Sequence, residues 1–179
     1  MTVLATSSDV LPALVRRITG DEKHAPSAHS TLDVLWVLYD RILRITPDTV
    51  NAPDRDRFLL SKGHGPAAYY AVLAAKGFLP VEWLDHTGEW DSPLGWHPDR
   101  VLIPGVEIGT GSLGHGLGLA VGTALGLRAQ RIGSRVVVLR PYLQPPLPRA
   151  AKHLGEAARV AWGMVGGAES PAYRTLSEA

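Results

Sequence analysis

Residues 104–127 read PGVEIGTGSLGHGLGLAVGTALGL, and the reading of this stretch decides the fold. It holds eight of the chain's nineteen glycines, and from Gly114 they recur at every fourth position: Gly114, Gly118, Gly122 and Gly126. Residues four apart lie on one face of a helix, so the spacing predicts a helix with a bare stripe along one side. Each glycine inside a helix costs about 1 kcal/mol against alanine, so four on one face imply that something large, backbone or cofactor, lies against them. Just ahead, Thr110, Gly111 and Ser112 offer hydroxyl caps and a flexible turn, which makes a helix N-terminus with free amides. Such an end is ready to receive an anion. A packing helix with a glycine-rich lead-in is the alternative this stretch leaves open.

Upstream lies a second glycine-flanked helix start. Phe58-Leu59-Leu60 runs into Ser61-Lys62-Gly63-His64-Gly65-Pro66. Pro66 suits a first helical turn, where its missing N–H is harmless. Residues 67–76 continue the helix, and Gly77 is placed to end it. His64 therefore sits at a helix N-terminus, as does the 110–114 loop, and two such starts suggest an anion site more strongly than one. Downstream, Gly133 breaks the striped helix. Residues 135–139 (RVVVL) carry the β-branched run of a buried parallel strand, the only strand expected. With four prolines, residues 140–149 can be neither helix nor central strand. Residues 150–165 suit a helix and 166–179 a loose end.

Toward the amino terminus, residues 10–18 predict a short amphipathic helix with Arg16 and Arg17 on its wet side. A turn-rich link over 19–30 follows, containing His24 and His29. Residues 32–43 are apolar on nearly all sides, which predicts a buried helix capped by Ser30 or Thr31. Residues 46–57 read as surface loop, 81–85 as one helical turn, and 87–104 as loop carrying Trp90 and Gly95-Trp96-His97-Pro98-Asp99.

With 45% apolar and 20% charged residues, the 179-residue chain has the composition of a soluble globular domain. A formal net charge of +1 and no long basic run point to neither nucleic acid nor an acidic membrane surface. The absence of cysteine excludes disulfides, thiolate metal sites and cysteine nucleophiles, and is compatible with the cytoplasm. The amino-terminal residues lack a signal-peptide pattern, and the apolar window 113–127 is shorter than the roughly 20 residues a membrane span needs. Zinc is disfavoured for the histidines, since no pair shows HExxH-like helical spacing with a carboxylate.

Over residues 24–139 the chain resembles the amino-terminal part of transketolases, the thiamine diphosphate enzymes that move two-carbon ketol units between sugars. Residues 55–80, RDRFLLSKGHGPAAYYAVLAAKGFLP, look like the family's "RDRF-LS-GH" segment. GWHPD at 95–99 is similar to its "GHP" loop, and 104–127 to its "PGVE–TGSLGQG" segment. His24 falls at the histidine of the family's "GHPG" turn, although this chain reads KHAPSAHS there. By resemblance, His64 with Gly65 contacts the cofactor's diphosphate, and His24 and His97 face the sugar substrate. Gly111, Ser112, Leu113 and Gly114 let backbone approach the aminopyrimidine, and His115, where many relatives have glutamine, stands near it. A structural hydrogen bond is the alternative for each histidine, and the one preferred for His29, His86 and His153.

The resemblance ends at Leu139. There the family's strand runs into "GDG", whose Asp begins a magnesium site completed by an Asn some way on; here it runs into RPYLQPPLPR. Residues 140–179 hold no Asp and no Asn, and magnesium bridging a diphosphate requires hard oxygen ligands. A reading-frame shift or truncated gene would produce so abrupt a change. The implied fold is α/β, an incomplete thiamine diphosphate-binding domain. It should be mainly helical, with a single strand at 135–139, left unpaired or edge-exposed. Residues 1–139 form that partial domain and 140–179 an unrelated proline-rich segment. The family's later glutamate, which protonates the aminopyrimidine, lies beyond this chain, so the resemblance implies a second chain, a dimer, and sugar phosphate substrates. A non-catalytic remnant unable to hold magnesium is the alternative. A generic phosphate-binding domain is a further one, disfavoured because neither GxxxxGK[ST] nor a GxGxxG after a strand occurs.

Overall fold

The computed structural model describes residues 5–19, 25–63, 66–111 and 115–140, with the backbone alone at 19 and 25–30. Its elements in chain order are helix α1 (Leu11–Thr19), α2 (Ala25–Val37), strand β1 (Arg57–Leu60), α3 (Ala67–Ala75), α4 (His115–Ala129) and β2 (Val136–Leu139). The architecture is an incomplete, mainly helical α/β domain.

Helix α3 is the axis of the core. AAYYAVLAA has no charged residue, and every one of its residues is buried. Leu11 and Val15 of α1 and Leu32, Leu35 and Trp36 of α2 join the same core, each set at helical spacing on one face. Val34 and Val37 lie on the opposite face of α2 and are exposed, so this helix is not buried all round as its composition suggests. Neither Ser30 nor Thr31 begins it. It starts at Ala25, with Pro26 in the first turn, where no intrahelical N–H bond is lost, so part of the expected 19–30 link is helix. After Val37 the chain widens into a π-helical turn, Leu38–Ile42.

Gly77 ends α3 as expected. Its φ of 76° is left-handed, its N–H donates to Ala74 O (3.0 Å), and Phe78 N–H donates to Leu73 O (2.9 Å). These two bonds form the Schellman termination. Helix α4 ends the same way, but with Arg131 rather than a glycine at the left-handed position (φ 58°). Ile132 N–H donates to Leu127 O (2.9 Å), so the helix stops before Gly133 is reached.

The expectation of a lone strand is corrected. β1 and β2 pair in parallel, Arg57 opposite Val136 through Leu60 opposite Leu139. Phe58, Leu60, Val137 and Leu139 contribute to the helical core, while Leu59 and Val138 alternate to the other face, which α4 covers. The face of α4 that packs there is Gly116, Ala120, Ala124 and Leu127. Gly118, Gly122 and Gly126 lie off that face, and a Cβ at any of them would meet nothing within 4 Å. The close approach expected of the glycine stripe is thus made by Gly116 instead, whose Cβ would fall 2.5 Å from that of Ser61.

Candidate functional site

Because the strands are parallel, both point their carboxyl ends the same way, and the loop after β1 leaves from that end. Residues 61–63 of this loop meet two others: 95–99, and 109–111 ahead of α4. A Cβ on Gly63 would come within 2.9 Å of Gly111 N, so the two glycine loops touch backbone to backbone. His97 lies beside both. Its Nδ1 is 2.9 Å from Gly63 O, and a Cβ on Gly111 would stand 3.9 Å from His97 Cδ2.

Two further bonds fix the loops. Thr110 N–H donates to Pro98 O (3.1 Å), and Tyr70 OH, rising from the buried α3, donates to Gly95 O (2.8 Å). Gly116 N–H, in the first turn of α4, donates to Ser61 Oγ (3.1 Å). Ser61 is buried, so a hydroxyl distant in sequence caps this helix. The cap expected from Thr110 is not made, since α4 begins five residues later; Ser112, the other candidate, lies outside the described residues.

Charge also gathers on partly buried side chains. Arg55 Nη2 stands 2.8 Å from one Glu107 oxygen and Arg57 Nε 3.9 Å from the other. Burial pushes the Glu107 carboxyl above its usual range, against the pull of Arg55, Arg57 and Arg100. Burial likewise pushes the Lys62 ammonium below its ordinary value.

Of the residues singled out in the sequence, His97 and Gly111 are brought together here, and His115 is exposed at the first position of α4. His24, His64, Gly65, Ser112, Leu113 and Gly114 lie outside the described residues. Gly63 and Gly111 immediately precede two of those gaps, so the two loops are in contact just before His64 and just before Ser112. Ser61 and Gly63 were not among the expected site residues. The signal that could have found them is the unbroken SKGHGP run, in which a buried serine and a second glycine flank the histidine.

The chain matches the family described as "Transketolase, thiamine diphosphate binding domain" over residues 16–132. It is 63% identical over 134 residues to Ferredoxin fas2 of Rhodococcoides fascians, covering 74% of this chain and 44% of that protein. It is 44% identical over 110 residues to an apulose-4-phosphate transketolase subunit of Phocaeicola vulgatus, covering 62% and 39%. A transketolase of Pichia stipitis solved with fructose 6-phosphate superposes with a TM-score of 0.62 at 26% identity, covering 87% of this chain and 24% of that one. The chain thus spans less than half the length of these relatives. Among the described residues no helix is long and apolar enough to cross a membrane. On the family match and these likenesses, the chain belongs to the transketolase family, of which it is an amino-terminal, thiamine diphosphate-binding segment.

Proposed function

We propose that this chain is the cofactor-side segment of a split transketolase, which transfers a two-carbon ketol unit between sugar phosphates together with a second chain. Several relatives are named as one subunit of a transketolase rather than as the whole enzyme, and each is matched over less than half its length. The observation that carries the reading is the contact of the 61–63 and 109–111 loops beside His97. The residues suit a diphosphate. Any side chain at Gly63 would strike Gly111, so both loops present bare backbone at the approaches to two helix N-termini. On this reading His64 with Gly65 would hold the diphosphate, and Gly111, Ser112, Leu113, Gly114 and His115 would border the aminopyrimidine. His24 and His97 hold the sugar's hydroxyls and exchange protons with them. Bound thiamine diphosphate supplies the electron sink for the two-carbon unit.

The residues do not suit magnesium. Residues 140–179 contain neither Asp nor Asn, and among the described residues no three His, Cys, Asp or Glu side chains gather as a metal group. The proposal therefore divides the chain into a partial cofactor domain, 1–139, and an unrelated segment, 140–179. It assigns the metal ligands and the later glutamate to the second chain, so the isolated chain is not a catalyst. Calorimetric titration of thiamine diphosphate into the chain, with magnesium and with a chelator, tests this. The expected result is weak binding that is the same in both. Micromolar, metal-dependent binding by this chain alone would overturn the need for a partner, and no binding at millimolar cofactor would overturn the cofactor-side assignment.

A further inference from the structure

We infer that Ser61 is a positioning residue of the candidate site: one buried side chain seats the loop after β1, the first turn of α4 and the end of β2 against one another. Its backbone and its hydroxyl hold different elements. Ser61 N–H donates to Leu139 O (2.7 Å), one step beyond the last paired residues of the two strands. Ser61 Oγ accepts from Gly116 N–H (3.1 Å), so the residue grips β2 with one group and α4 with the other. With 1% of its surface exposed, Ser61 meets both partners away from water, where a hydrogen bond is costly to leave unmade.

The sequence of α4 explains why its cap comes from elsewhere. The first N–H groups of a helix have no partner within it, and the usual remedy is a polar side chain on the residue just ahead. The residue ahead of His115 is Gly114, which has no side chain. Gly116, in the first turn, carries no Cβ either, and one would stand 2.5 Å from Ser61 Cβ, 2.8 Å from Oγ and 3.2 Å from Cα. Helix α4 therefore settles onto Ser61 until amide meets hydroxyl, a fit that one methyl group would prevent. Two residues beyond Ser61, Gly63 abuts Gly111, four residues ahead of His115. The two loops are thereby joined twice, 61 to 116 by a hydrogen bond and 63 to 111 by backbone contact. Resting on the proposed function, the segments that Ser61 gathers are the ones that carry the cofactor-facing residues. A ligand held by one of them then meets the other already in place, and Ser61 acts through both without touching the ligand.

The test is amide hydrogen exchange, followed by NMR on the nitrogen-15-labelled full chain without ligand, in the unaltered chain and in Ser61→Ala. The Gly116 amide has no acceptor inside its own helix, so its protection reports the bond to Ser61. Alanine keeps the Cβ that packs against Gly116 and removes the acceptor alone. The expected result is exchange at Gly116 faster by about tenfold, as the loss of one hydrogen bond gives. Positioning also predicts several-fold faster exchange at the amide of residue 61, bonded to Leu139 O, and at Thr110, bonded to Pro98 O. Phe78, bonded to Leu73 O at the far end of α3, should not change. A change confined to Gly116 would reduce Ser61 to a local cap and overturn the inference, as would an unprotected Gly116 in the unaltered chain. A second arm adds thiamine diphosphate. Ser61→Ala is expected to weaken its binding by roughly three- to tenfold. Thr46→Ala, which removes the capping hydroxyl of the 47–49 turn, should leave it unchanged. Equal, measurable affinity of the unaltered chain and Ser61→Ala would also overturn the inference. Absence of binding by the unaltered chain overturns the proposed function instead, and the exchange rates alone then decide the role of Ser61.

Discussion

At Asp56, a single buried carboxylate accepts hydrogen bonds from two separate parts of the chain. Arg44 reaches it from its backbone N–H (2.8 Å) and its guanidinium (3.1 Å). Arg135 does the same, its N–H at 2.9 Å and its Nε at 2.9 Å, and so ties the start of β2 to the residue before β1. Burial pushes this carboxyl up, but the hydrogen bonds from Arg135 and Arg44 outweigh it and hold it below the usual carboxylate range. Since the folded value lies below the unfolded one, the stabilisation is complete above about pH 4 and is lost as pH falls further. Urea midpoints measured from pH 6 down to 3 are expected to drop in that window. In Asp56→Asn that drop should be shallower, on a stability already lower by about 1–3 kcal/mol, because hydrogen bonds from Arg44 and Arg135 to a charged acceptor are lost while both guanidinium groups stay partly solvated. Of the residues gathered at the candidate site, His97 stood out in the sequence because GWHPD is a compact, glycine-bounded motif. Ser61 was not, because its value is a bond to Gly116, and nothing in the linear order announces a cap supplied from 55 residues away.

Among the elements, α4 separates two kinds of glycine that look alike in sequence. Gly116 lies against Ser61, and Gly116→Ala is expected to cost about 1–3 kcal/mol of overpacking. Gly118 and Gly122 face open space, so Gly118→Ala and Gly122→Ala are each expected to stabilise the isolated chain by about 0.5–1 kcal/mol. Thermal unfolding of the three variants side by side checks the contrast. At the end of the same helix Arg131 holds a left-handed φ that costs a side chain roughly 1 kcal/mol, so Arg131→Gly should raise the melting temperature and Arg131→Ala should not. The helices were legible because apolar residues recur at three and four. β1 was not, because Phe58, Leu59 and Leu60 are a short run without a β-branched residue, and such a run does not distinguish strand from helix. The start of α2 was hidden by Pro26, which signals a break everywhere except in the first turn.

At the scale of the molecule, the two strands and four α-helices of the described residues leave apolar side chains exposed. Leu119 and Leu125 are about half exposed on α4, on the same side as the open glycines, and Val34 and Val37 are exposed on α2. On the proposed function the second chain covers the α4 surface. The double change Leu119→Glu with Leu125→Glu should then leave the unfolding free energy within about 1 kcal/mol. It should also reduce self-association, seen by sedimentation velocity as a shift toward monomer. Sequence legibility at this scale was uneven: the family was readable from ordered motifs, while the pairing of β1 with β2 depends on contacts across the chain that the motifs do not state.

The central claim is that the loops after β1 and before α4 form one site for thiamine diphosphate. Amide chemical-shift mapping of the nitrogen-15-labelled chain during titration with thiamine diphosphate tests it most directly. The account predicts that the shifting amides cluster at 62–65 and 110–116, with His97 among them. Shifts confined to some other part of the chain, with both loops unmoved, would contradict it.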